Sequence, residues 1–190
     1  MQDSTPEQLR FPSLSGYTVR ADFEGGALSS DLGALLLRGI DRQIGFTERL
    51  AAAVRDKRHP SYIAHTLRDL FAQRIYQIAS GYADGNDANS LRHDPMFKLS
   101  VERVPLDPTQ DLASAPTFSR LEHSVTRPDL YRLTQAFGDQ FLASYPEPPA
   151  AIVLDLDHSD DPTYGQQEFA FYNHHYQNHC YLPLFIFEGT

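Results

Sequence analysis

The spacing of apolar residues changes period across Tyr145-Pro-Glu-Pro-Pro149, and that change sets what the chain can fold into. Before it, apolar side chains return every three or four residues, the repeat that gathers them on one helix face. After it they come as short runs, Ala151-Ile-Val-Leu154 and Cys180-Tyr-Leu-Pro-Leu-Phe-Ile-Phe187, with the length and composition of strands. The prolines between fix φ and remove N–H donors, so the junction reads as a stiff linker. The expected class is α+β: a helical region over residues 28–144, a proline-rich linker at 145–150, and a strand-forming segment at 151–190. Residues 1–27, polar and carrying Pro6, Pro12 and Gly25-Gly26, are expected as an extended N-terminal arm.

Within the helical region, Ser29-Ser30-Asp31 offer side-chain acceptors for a first helix carrying Leu32, Leu35, Leu36 and Ile40. A second helix is expected from Asp41 to Val54. The clearest begins at Ser61, where Ile63, Leu67, Leu70, Phe71, Ile75 and Ile78 make one stripe that ends at Gly81. On this pattern Tyr62, Phe71 and Tyr76 are packing residues. Residues 84–99 suggest a turn and a short helix, and Pro105, Pro108 and Pro116 a loop. Helix resumes at Ala115-Pro116-Thr117, restarts at Pro128, and runs through Tyr131, Leu133, Phe137 and Phe141. Arg92-His93-Asp94 fit folding as well as chemistry, and no role is assigned to them.

A chain of 190 residues with 41% hydrophobic content can build one good core or one and a half domains. No apolar run approaches the ~20 residues of a membrane span, so no membrane partner is expected. The start, Met-Gln-Asp-Ser-Thr-Pro-Glu7, lacks the basic and apolar regions of a signal peptide. A lone cysteine, Cys180, excludes an internal disulfide and suits a reducing compartment, so a cytoplasmic, nucleoid-associated location is expected.

The net charge of −9 argues against a simple nucleic-acid coat protein, but the charge is uneven. From Leu133 onward there is no Lys or Arg, while Asp and Glu accumulate. Arg55, Lys57 and Arg58, with His59, form a basic cluster in the front half. Such cations can hold DNA phosphates; the plainer reading is an exposed connection between helices.

The chemistry-bearing feature is Ala151-Ile-Val-Leu-Asp155-Leu-Asp157-His-Ser159. Alternate side chains of a strand share a face, so Asp155 and Asp157 project together. Two carboxylates at that spacing can hold a hard cation such as Mg²⁺, which favours oxygen ligands. Four apolar residues ahead of Asp155 imply a buried strand. Asp160 and Asp161, beside Pro162, read as turn residues. His175 and His179 have the i, i+4 spacing of a zinc pair, but this spacing works on a helix and needs further ligands. Here it falls between strands and reads as a hairpin tip.

Leu154-Asp155-Leu-Asp157-His-Ser159 resembles the Asp-x-Asp motif of haloacid dehalogenase-like phosphohydrolases. That resemblance would make Asp155 a nucleophile and Asp157 an acid/base. A far wider resemblance, from about residue 26 onward, is to bacterial insertion-sequence transposases of the DDE type, DDE domain group 1. It is carried by Gly26-Ala-Leu-Ser-Ser-Asp-Leu-Gly33, Asp41-Arg-Gln-Ile-Gly-Phe-Thr47, Asp56-Lys-Arg-His-Pro60 and His65-Thr-Leu-Arg-Asp-Leu70. Asn86-Asp-Ala-Asn-Ser-Leu-Arg-His-Asp-Pro95, Leu112-Ala-Ser-Ala-Pro-Thr117, the carboxylate strand and Tyr164-Gly-Gln-Gln167 follow in order, and Tyr181-Leu-Pro-Leu184 closes the series.

The transposase resemblance implies an RNase H-like core whose carboxylates bind Mg²⁺ for DNA cleavage and strand transfer. Asp157-His158-Ser159 matches the family's first Asp-x-Thr/Ser motif, which gives Asp157 the catalytic role and makes Asp155 the second choice, a supporting or alternative metal ligand. Ser159 and Tyr164 depart from the family's usual Thr and His. The implied partner is DNA at transposon inverted repeats, with a homodimer possible in the family. The family's second Asp and its Glu lie further downstream than residues 160–190 extend. The chain is therefore expected to be the N-terminal part of a transposase, holding the first two strands of an incomplete RNase H-like core and inactive alone. The alternatives are a haloacid dehalogenase-like phosphohydrolase fragment and a non-catalytic DNA-binding remnant.

Overall fold

The computed structural model describes residues 9–12, 15–21 and 30–189. The chain divides into two compact units, which meet in sequence between Ser144 and Tyr145. The α+β class expected from the sequence is the class observed.

The first unit opens with a short antiparallel pair, β1 (Leu9–Arg10) and β2 (Arg20–Ala21). Phe11 and Val19, within the stretch expected as an arm, pack against Leu35 and Leu99. Gly25, Gly26 and Ser29 lie outside the described residues. The helices that follow are α1 (Gly33–Ile44), α2 (Phe46–Ala53), α3 (Leu67–Ala79), α4 (Asp87–Leu91), α5 (Pro95–Ser100), α6 (Ala115–Ser124) and α7 (Arg127–Leu142).

Three boundaries differ from the sequence reading, each for a local reason. The break between the first two helices falls at Gly45, which takes a left-handed φ of 68° that a side chain would disfavour. Asp41 is not a helix start. It is buried in α1 and accepts from the Thr47 N–H at 2.8 Å, capping α2 from a distance. The expected Ser30 and Asp31 cap is absent too, because Leu32 occupies the α1 N-cap without a side-chain hydrogen bond. Likewise α3 begins at Leu67, not Ser61. Thr66 accepts from the Asp69 N–H at 3.1 Å, and Asp69 accepts from the Thr66 N–H at 3.2 Å. This reciprocal box satisfies two free helix donors and fixes the start, while Pro60–Tyr62 forms a separate 3₁₀ turn.

The core joins α3 to its neighbours. Ala34, Ala72, Tyr76, Phe97, Val101 and Leu112 form one buried cluster; Leu50, Ala53 and Ala136 form another with Phe71 and Ile75 against them. The loop before α6 is fastened by Gln73, whose buried amide bonds both the N–H and the carbonyl of Ala113 at 2.9 Å. Arg92 and His93 pair with Asp111, and Asp94 caps α5 through Met96 and Phe97.

The second unit contains β3 (Leu154–His158), β4 (Asp161–Pro162), β5 (Phe171–Asn173), β6 (Asn178–Tyr181) and β7 (Leu184–Glu188). An antiparallel ribbon pairs β3 with β7, and a three-stranded antiparallel sheet runs in the order β4-β6-β5. The single strand expected over 180–187 is therefore two strands. Pro183 has no N–H for a ladder, and its carbonyl instead accepts from Ser159 at 3.1 Å. Asp161 is in a strand, opposite Tyr181, and not in the turn expected for it. His175 sits in the tip joining β5 to β6, as expected, whereas His179 lies within β6, opposite Tyr172, and not in the tip. Among the described residues no helix is long and apolar enough to cross a membrane.

Candidate functional site

The second unit carries the carboxylates. Asp155 stands opposite Phe187 and Asp157 opposite Phe185 in the β3–β7 register. Directly opposed residues of an antiparallel pair share a face, so both carboxylates and both phenylalanines project the same way. The two rings stack with centroids 6.1 Å apart. The opposite face is apolar at its centre, with Leu154, Leu156, Leu184 and Ile186.

The burial expected for this strand is not observed: all five residues of β3 are exposed, Leu156 at 62%. Among the described residues β3 pairs only with β7, and a two-stranded ribbon has no further strand within its own sheet to shield its faces. The carboxylates therefore reach solvent without paying the cost of a buried charge. Asp155 lies close over Gly189, where a Cβ would come 2.7 Å from its Oδ2. Among the described residues no group of three or more His, Cys, Asp or Glu is gathered for a metal ion. Asp155 and Asp157 are oxygen donors on one face and fit two positions of a hard-cation shell, not a whole one.

The first unit carries the basic cluster. Arg55, Lys57 and Arg58 line a cavity of about 480 Å³, together with Arg120, Tyr62 and His65. Its apolar wall includes Val54, Leu67, Leu70 and Leu121. The three cations are not equivalent. Arg58 donates to both carboxylate oxygens of Asp56, at 2.8 and 2.6 Å, and to the His65 carbonyl at 3.0 Å. Its hydrogen bond to Asp56 raises the guanidinium's affinity for its proton and lowers that of the carboxyl. Arg58 thus stiffens the connection and its charge is largely neutralised. Among the described residues no ion pair neutralises Arg55, Lys57 or Arg120. The loop is tied to α7, because the Arg55 N–H donates to Asp129 at 3.2 Å. Burial, followed by the nearby Arg103, pushes the His65 imidazole below its ordinary pKa, which favours the neutral ring.

Two residues of this cavity were misread or missed in the sequence. Tyr62 does not pack a helix: it is 85% exposed, because the turn at 60–62 precedes the helix that would have buried it. Phe71 and Tyr76 do pack as expected, Phe71 against the Leu50 cluster and Tyr76 fully inside. Arg120 reaches the cavity from α6, on a face it shares with Thr117, Leu121 and Ser124. That i, i+3, i+4, i+7 spacing was visible in the sequence, but nothing linked it to residues 55–58.

No curated protein and no solved structure matches the chain. A family model does, over residues 11–190, nearly the whole sequence. By that match the chain belongs to the transposase DDE domain group 1 family.

Proposed function

We propose that the chain supplies the first acidic ligand of a transposase centre, Asp157, and DNA contacts from its helical unit. The carrying observation is the shared, solvent-reached face of Asp155 and Asp157 on β3, inside a family match that spans both units. Asp157 is preferred because Asp157-His158-Ser159 has the family's motif, and because Asp155 is packed against Gly189. When bound, Mg²⁺ would act as a Lewis acid toward a phosphodiester. The chain's own part is to present two oxygen donors on one strand face, Asp157 as ligand and Asp155 as its support.

The DNA contact falls to Arg55 and Lys57, whose side chains are exposed and not neutralised, with Arg58 holding their loop in shape. Transposon inverted repeats are the proposed target and a homodimer the proposed assembly. On this reading the second Asp and the Glu of the triad are not among residues 1–190, which bind DNA but do not cut it.

A salt-dependent gel shift and a metal-dependent nicking assay on inverted-repeat DNA test both halves. Binding that weakens steeply with salt is expected, with no nicking by residues 1–190. Nicking abolished by Asp157→Ala would refute the incomplete triad. Absence of any low-salt binding would refute the DNA contact.

A further inference from the structure

The cavity in the first unit has a chemistry that phosphate neutralisation alone does not require. A surface that only tracks a duplex backbone needs exposed cations. Here the cations ring a recess whose wall is Val54, Leu67, Leu70 and Leu121, with an exposed tyrosine at its mouth. His59 stacks obliquely on Tyr62 at 5.7 Å and is itself held by the Ser61 N–H, which braces the tyrosine from one side. The recess, about 480 Å³, falls within the range of small-ligand pockets. Arg55 and Lys57 approach from the α2–α3 connection and Arg120 from α6, so positive charge flanks the opening from two elements.

Resting on the DNA-binding reading above, we infer that this cavity accepts one unpaired nucleotide of a DNA strand. Tyr62 and the apolar wall receive the base, and Arg55, Lys57 and Arg120 hold its flanking phosphates. A base stacked on an aromatic ring gains affinity without regard to sequence, and the cations supply the backbone attraction. His65, its ring favouring the neutral form, offers hydrogen bonding to a base edge and adds no further charge.

Fluorescence anisotropy with the full chain separates the possibilities. The probes are a labelled inverted-repeat duplex, the same duplex carrying a single-stranded overhang, and dAMP as competitor. The overhang probe is expected to bind more tightly than the blunt duplex. Tyr62→Ala should weaken the overhang complex about tenfold and leave the blunt duplex unchanged. Arg55→Ala with Lys57→Ala should weaken both, and Arg120→Ala chiefly the overhang complex. Equal loss on both probes in Tyr62→Ala would overturn the unpaired-nucleotide pocket while leaving DNA binding intact. If dAMP saturates the site with no preference for the overhang, the pocket serves free nucleotides and the inference fails. Failure of every probe to bind would overturn the DNA-binding reading itself.

Discussion

Gly189 lies beneath the Asp155 carboxylate, where a Cβ would stand 2.7 Å from Oδ2 and 3.1 Å from Cγ. The absence of a side chain at 189 lets that carboxylate settle across the ribbon from β3. Its neighbour Asp157 lies opposite Phe185 on the same face of the ribbon and is the metal ligand under the proposal above.

Gly189→Ala should therefore push the Asp155 side chain aside while keeping the β3–β7 ladder. Divalent-metal affinity is expected to fall a few-fold, less than for loss of Asp157 itself. Titration calorimetry with Mn²⁺ measures it. A loss as large as that of Asp157→Asn would make Asp155 the principal ligand.

The buried carboxylate of Asp41 is satisfied by the Thr47 hydroxyl at 2.6 Å, the Thr47 N–H at 2.8 Å and the Tyr76 hydroxyl at 2.8 Å. Burial and the bond to Asp41 push the Tyr76 phenol well above its ordinary pKa. Tyr76→Phe removes one donor from a buried charge and should cost about 2 kcal/mol. Chemical denaturation checks this, and a change below about 0.5 kcal/mol would show the site rehydrating at little cost.

Asp129 lies in the first turn of α7 and holds the Arg55 loop, so its charge links helix start to cavity. Hydrogen bonds from the Thr126 hydroxyl and N–H, then from the Arg55 N–H, hold its carboxyl well below the usual range. A depressed folded-state pKa means the unfolded chain takes up the proton first on acidification. The contribution is thus complete above the ordinary value of 3.8 and is lost as pH falls below it. Thermal midpoints should drop through that window in the parent chain. Asp129→Asn should start lower at neutral pH and respond more weakly to acid; an unchanged acid response would contradict the assignment.

The change of period at 145–149 and the restart of helix at Pro128 were legible because proline and spacing act locally. The start of α3 was legible in principle, since Thr66-x-x-Asp69 is a capping signature, but the apolar stripe reaching back to Ile63 outweighed it. The exposure of β3 was not legible: an apolar run states that a strand can be buried, and only the surrounding elements decide whether it is. Tyr62 and Arg120 escaped for a related reason. A cavity is a meeting of separate segments, and neither residue carries a local signal of it.

Paramagnetic broadening by Mn²⁺, followed on the backbone amides of β3 and compared between Asp157→Asn and Asp155→Asn, bears on the assignment of Asp157 with the fewest intermediate steps. In the parent chain the amides of residues 154–158 should broaden first. Asp157→Asn should abolish that broadening, whereas Asp155→Asn should weaken it. Broadening that survives Asp157→Asn, or that centres on the His174–His179 hairpin, would contradict Asp157 as the first metal ligand.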